Sequence, residues 1–326
     1  MFAAQNNDEC VSILCPHRRP DYQRQPDYED NRNPVWLAAG IETTEGTIEF
    51  SQPEIALYNR SSIRGNGTCE PGYADFMEAA SGQVSVITTQ KTQALCARVE
   101  PALVTLLWAQ LQGWKMPPVS SEGLVLSFGP GPAEPSLPPH ALPSLSQAWR
   151  AGAGITIELW LRHRSANDTL VRIGSPEGSS GGLSLLAEAD GAAQMRVSDG
   201  QAAGELTTDP TCSRALAAAG AHHLVLTLDA GPLIATFVVD GVLCDGGEER
   251  WRGWAWLPQD LTDVSGAAHR IAVGAPNEIP SLPMPALPLT VCSRWPGGAV
   301  ESGRLYGRAL RVSEAVASFR AGQPSE

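Results

Sequence analysis

Asp30, Arg32, Glu54, Tyr73, Asp75, Lys91 and Arg98 are the polar side chains of the first 118 residues whose types suit bond-breaking chemistry. Cleavage of a glycosidic bond commonly uses two carboxyl groups about 5–10 Å apart, one as general acid and the other as base or nucleophile. Tyr73 and Asp75 are two residues apart, so on a strand both side chains face the same way and could share a site. Asp30 and Arg32 precede an apolar run, and a guanidinium fork suits recognition of a substrate carboxylate. Tyr73, Asp75, Asp30 and Arg32 are therefore the catalytic candidates. Each pair also has a plainer reading. Asp30 and Arg32 fit a solvated turn with a local ion pair, and Tyr73 and Asp75 fit an edge-packed ring beside a turn cap. Lys91 and Arg98 read as surface residues.

Stacking is the second chemistry on offer. The run Trp251-Arg-Gly-Trp254-Ala-Trp256 holds three indoles, and an exposed indole binds a sugar ring through its apolar face. Trp254 and Trp256 are the glycan-binding candidates; the alternative is that these rings close a sheet edge as core. His222 and His223 are adjacent at the start of a strand-like run and face opposite sides of it, so they cannot easily share one metal. No Cys-x-x-Cys, zinc spacing, Gly-x-Ser-x-Gly, phosphate loop or dinucleotide fingerprint occurs, and no resident metal is expected.

The elements that must position these groups are strands. In 155–162, Ile155, Ile157, Leu159 and Leu161 alternate with Thr156, Glu158, Trp160 and Arg162, which predicts a strand with one aliphatic face for a core. Leu224, Leu226 and Leu228 repeat the pattern against His223, Val225 and Thr227. Ile234–Val239 is a second β-rich run ending in Asp240-Gly241, a hairpin signal, after which Val242-Leu243-Cys244 returns. The apolar run 124–128 reads as an earlier strand, and Ser313-Glu-Ala-Val316 as a short terminal helix. In the first third, Val35–Ala39 reads as a buried strand. Strands follow on both sides of Thr43–Gly46 and of Ala79–Gly82, with another at 93–99. Ala102–Trp114 is the helix-length apolar stretch. The Pro-rich segments 129–143 and 276–288 read as extended loops.

The order Thr156-Ile-Glu-Leu-Trp160, His222 to Asp229, Val239-Asp-Gly241 and Gly303-Arg-Leu-Tyr-Gly-Arg-Ala-Leu310 resembles the laminin-G-like, concanavalin-A-like lectin sandwich over about 121–323. Residues Asn33–Ala38, Phe50–Tyr58 and Gly72–Glu78 leading to Thr89-Gln-Lys-Thr92 resemble the last blades of a sialidase-like β-propeller. A blade takes about 40–50 residues, so 118 residues hold at most two or three blades and only part of a propeller. The expected fold is thus mainly β: an antiparallel jelly-roll sandwich over 119–326 behind a partial propeller region over 1–118. The resemblance implies a carbohydrate-active protein, a sialidase-like glycoside hydrolase fragment with an accessory glycan-binding sandwich, or else a non-catalytic extracellular lectin or adhesion module. It also implies a Tyr nucleophile. Two departures weigh against turnover: Thr88 stands where the related pattern has Glu, and Ala74 where it has Pro. Lectin relatives often bind Ca²⁺ on a loop rim, which makes Asp168, Asp199, Asp240 and Asp245 candidates. No Asp-x-Asp-x-Asp-Gly loop supports them, and ordinary turn chemistry is the favoured reading.

The bulk properties fit. A net charge of −12 without a basic block argues against nucleic acid as partner and leaves a glycan or glycoconjugate. No apolar run of about 18 residues predicts a membrane span. The N-terminus lacks the pattern of a secretory leader, yet Asn59, Asn66 and Asn167 lie in glycosylation sequons and seven cysteines are present. Together these suggest an extracellular protein entered without its own leader, as a fragment would be. Cys212 and Cys244 flank the central hairpin and could pair.

Overall fold

The computed structural model describes residues 2–5, 34–58, 74–89, 94–111, 116–129, 152–162, 168–175, 181–198, 203–232, 234–246, 253–256, 289–291 and 299–322. The chain divides into two compact units, Met1–Val119 with Arg311–Arg320, and Ser120–Leu310 with Ala321–Glu326. Among the described residues no helix is long and apolar enough to cross a membrane.

In the first unit, β1 (Phe2–Gln5), β2 (Val35–Ala38) and β5 (Glu54–Leu57) form one antiparallel sheet in the order β1-β2-β5. Between β2 and β5, β3 (Gly40–Glu42) and β4 (Ile48–Phe50) make a hairpin closed by the turn expected at Thr43–Gly46. β6 (Ala74–Glu78), β7 (Val84–Thr89) and β8 (Ala94–Arg98) form a three-stranded meander. No complete four-stranded propeller blade stands among the described residues. Helix α1 (Pro101–Leu111) buries Leu103 and Leu107, four residues apart and so on one face, with Val35, Leu37, Val84 and Val86.

The C-terminal helix, Val312–Ala321, falls in this first unit up to Arg320. Glu54 holds its start: Oε1 accepts the Ser313 N–H at 2.6 Å, satisfying a helix-end donor that has no partner within the helix. Gln110 adds a hydrogen bond from its Nε2 to Ser313 Oγ, and Arg320 donates to the carbonyls of Ala109 and Gln110. Arg311 pairs with Glu100.

The second unit is a two-sheet antiparallel sandwich. Its larger sheet contains β9 (Leu124–Phe128), β10 (Ile155–Leu161), β15 (His222–Asp229), β16 (Ile234–Val239), β17 (Val242–Leu243) and β20 (Val300–Tyr306). The order is β17-β16-β15-β10-β20-β9, with β18 (Trp254–Trp256) joined to β16 beside β17. The smaller sheet runs β14-β13-β12-β11-β19. Its strands are β11 (Asp168–Ser175), β12 (Gly181–Ala187), β13 (Ala193–Ser198), β14 (Ala203–Thr207) and β19 (Leu289–Val291). Ile155, Ile157, Leu159 and Leu161 meet Leu224, Leu226, Leu228 and Phe237 from their own sheet and Ile173, Leu183, Leu185, Met195 and Val197 from the other. The period-two alternation read from the sequence thus selects the core face. The Asp240-Gly241 turn forms as expected, with φ of 49° and 76°; two adjacent positive φ values match the twist of a tight hairpin. Gly303 is a close approach: a Cβ there would lie 2.8 Å from Phe128 Cζ and 2.9 Å from Leu159 Cδ2.

Glu54 generates a pH prediction. Burial pushes its carboxyl up from 4.5 to about 7, against the lowering effects of Ser313 and Arg311. A raised carboxyl binds more protons in the folded state. Its stabilising contribution is therefore full below pH 4.5 and is lost as pH rises to about 7. Urea denaturation of the wild type and Glu54→Gln across that range should show the wild type losing roughly 3 kcal/mol relative to the variant. Parallel pH profiles would contradict the assignment.

Candidate functional site

The side chains of the larger sheet that point away from the core form rows set by strand register. One row runs Trp254, Thr236, Thr227, Thr156 and Tyr306. The next runs Val238, Val225, Glu158, Arg304 and Ser127, and the third His223, Trp160 and Ser302. The sequence alternation assigns only the opposite, aliphatic face to a core. The structure buries this face as well: every residue of Ile155–Leu161 is buried, with Glu158 fully enclosed. Part of the cover is the chain after β20. Thr156 Oγ1 donates to the Arg308 carbonyl at 2.9 Å and accepts the Leu310 N–H at 2.9 Å, so this stretch crosses the threonine row.

Glu158 is the centre of the face. His223 Nε2 lies 2.9 Å from its Oε1, while Arg304 Nη1 and the Tyr306 hydroxyl reach Oε2 at 3.4 and 3.5 Å. Arg304 stands directly opposite Glu158 in the ladder, and His223 and Tyr306 stand on the diagonals, within reach of long side chains. Burial, and after it the Glu158 carboxyl, pushes the Tyr306 phenol up to about 12, so it stays protonated and donates. The Trp160 ring lies between two cationic or polar planes. His223 is 4.5 Å away by centroids, and the Arg304 guanidinium 5.3 Å from the ring centre. A carboxyl, a guanidinium, a phenol, an imidazole and an indole thus meet on one sheet face. They hold the sheet in register, and of the five Arg304 alone keeps exposure.

The residues expected from sequence fall differently. Asp30, Arg32, Tyr73, Lys91, Asp199 and Trp251 lie outside the described residues. Asp75 is exposed on β6, and its Oδ1 accepts the N–H of Phe76 at 2.8 Å. Arg98 is exposed, and Glu54 caps a helix. Thr88 is buried in β7, so that strand offers no carboxylate where the related pattern has one. Trp254 is half-buried at the sheet edge, at the end of the threonine row. Trp256 is on the same strand, and its side chain is outside the described residues.

His222 and His223 diverge as the strand requires, His222 Nδ1 reaching Asp240 Oδ2 at 2.8 Å. Asp240 uses its other oxygen on the His223 N–H, so its carboxylate serves the hairpin rather than a cation. Among the described residues, Asp168, Asp240 and Asp245 do not converge. The metal-ligating types that do converge are Asp209, Cys212 and Cys244. Cys212 lies on helix α2 (Pro210–Ala217), which the sequence reading missed although Asp209-Pro210 is a helix-start signal. No local signal marks the Glu158 cluster, because its donors come from strands distant in sequence.

The fold and this face define a lectin-like β-sandwich. Residues 140–266 match the model of the Concanavalin A-like lectin/glucanases superfamily. No curated protein sequence matches the chain. Among solved structures, it is similar to the CBM40 of the Ruminococcus gnavus IT-sialidase bound to α2,3-sialyllactose. Identity is 16%, coverage is 60% of this chain and 98% of that one, and the TM-score is 0.39. The leech intramolecular trans-sialidase complexed with 2,7-anhydro-Neu5Ac is 16% identical over 63% of this chain and 29% of that chain, with a TM-score of 0.40. The SAP-like pentraxin of Limulus polyphemus is 10% identical over 51% and 70%, with a TM-score of 0.27.

The geometry around Glu158 predicts that Glu158→Ala, which leaves the His223 ring and the Arg304 guanidinium facing a void, costs about 3–5 kcal/mol in urea denaturation. Arg304→Ala should cost distinctly less, because that side chain is 24% exposed and retains access to water. Equal losses for the two variants would contradict the central role of the carboxyl.

Proposed function

We propose that this protein recognises carbohydrate through its sandwich and acts outside the cytoplasm as a binding module. The observation that carries the reading is the superfamily match of residues 140–266. The outward face of the larger sheet supports it. Most of its side chains are buried, but Trp254 is half-buried at one edge, and Arg304 and Ser127 keep exposure at the other. An indole face stacks on a sugar ring, and a guanidinium donates paired hydrogen bonds to hydroxyl or carboxylate oxygens. Trp254, with Trp256 on the same strand, and Arg304 are the contacts this reading assigns. Ligands with an acidic sugar suit Arg304.

Hydrolysis is the finer form of the proposal and belongs to a separate set of residues in the first unit: Tyr73, Asp75, Asp30 and Arg32. The exposed, backbone-bound carboxylate of Asp75 and the absence of a carboxylate at Thr88 favour recognition without turnover.

The test is a glycan array carrying neutral, sulfated and sialylated oligosaccharides, followed by calorimetry on the best binder. Trp254→Ala and Arg304→Ala should each weaken binding at least tenfold while circular dichroism shows a folded sandwich; a tenfold loss corresponds to about 1.4 kcal/mol. A folded protein that retains no glycan at millimolar ligand overturns the reading. Release of the leaving group from an aryl sialoside, abolished by Tyr73→Phe or Asp75→Asn, would instead make the protein a hydrolase.

A further inference from the structure

Two thiols meet in the sandwich unit away from the Glu158 face. One sulfur each from Cys212 and Cys244 and a carboxylate oxygen of Asp209 all lie within 4.8 Å of one another, and all three residues are buried. Both cysteines are free in this structure. Cys212 sits in the first turn of α2, and Cys244 follows β17. Gly253 covers Cys244 so closely that a Cβ there would lie 2.4 Å from the Cys244 carbonyl oxygen. Burial, and after it the neighbouring Cys212, pushes the Cys244 thiol well above its ordinary range, so Cys244 keeps its proton while enclosed.

The cluster could serve a metal or a sulfur–sulfur bond, and the observations favour the bond. Asp209 Oδ1 already accepts the Cys212 N–H at 2.8 Å as the N-cap of α2, and a closed structural zinc site wants four ligands where three groups converge here. We propose that Cys212 and Cys244 are a disulfide-forming pair that staples α2 to the end of the central hairpin. The oxidant is a disulfide, either oxidised glutathione or a protein dithiol–disulfide oxidoreductase. Cys212, which is 3% exposed where Cys244 is wholly enclosed, loses its proton and attacks one sulfur of that disulfide, releasing the first thiol. Cys244 then loses its proton and attacks Cys212 Sγ, releasing the second thiol. Two protons and two electrons leave the pair, and the oxidant gains both electrons. The bond closes a loop of about 30 residues containing β15, β16 and β17, which limits the unfolded chain and leaves the folded core in place.

The test uses the full chain equilibrated in a glutathione redox buffer or in dithiothreitol. Non-reducing peptide mapping by mass spectrometry should find a linked Cys212–Cys244 peptide in the oxidised sample. The oxidised protein should melt roughly 10 °C above the reduced one. Cys212→Ala and Cys244→Ala should each abolish that redox-dependent gap. Mapping of the wild type decides the question even where a variant fails to fold. Both thiols remaining open to alkylation in denaturant after oxidation would overturn the proposal. So would stoichiometric zinc that a chelator removes.

Discussion

Glu158 lies at the middle of a strand buried on both faces, and its hydrogen bonds constrain the sheet around it. A buried carboxyl is costly unless partners satisfy it. Here they arrive from two neighbouring strands, His223 from β15 and Arg304 with Tyr306 from β20. A slip of one residue in either pairing would turn those donors into the apolar core and bring leucines onto the polar face. Apolar packing between the sheets makes the sandwich favourable, while the Glu158 cluster distinguishes one register from its neighbours. Trp160 fits the same logic, with its ring between His223 and Arg304.

The same logic recurs in the first unit with a different outcome. Glu54 is also enclosed, but its partner is the backbone N–H at the start of the C-terminal helix. The carboxyl of one strand thereby reaches the start of a helix 259 residues later, and its environment favours the protonated form. Among the described residues, the polar groups held by the core thus act on structure first. On the sandwich face, among the described residues, exposure is kept at the margins, by Trp254 at one edge and by Arg304 with Ser127 at the other.

Much of the sandwich was legible because alternation is a local property. The strand over 155–161, the hairpin turning at Asp240-Gly241, the strand at 124–128 and the terminal helix all announce themselves in their own residues. The strands flanking Thr43–Gly46 and Ala79–Gly82 do so as well. The chemistry was much less legible. Asp75 has the right type and spacing for a site, yet its carboxylate is taken up by the adjacent backbone. Glu158 reads as a polar residue opposite the aliphatic face of its strand, since nothing within ten residues reveals that the fold encloses it as well. Helix α2 carries its own start signal at Asp209-Pro210, and a closer reading of capping residues finds it.

Local pattern by itself determined the β architecture and the core face of each central strand. Those follow from side-chain periodicity and turn chemistry, which act over a few residues. Tertiary structure decided which polar residues are enclosed, which remain open to a ligand and which thiols become neighbours. Each of those depends on groups between 30 and 260 positions apart meeting in space, as Cys212 meets Cys244 and Glu54 meets Ser313. Hydrogen bonding and burial act on such distances in the fold, and sequence spacing carries no direct record of them.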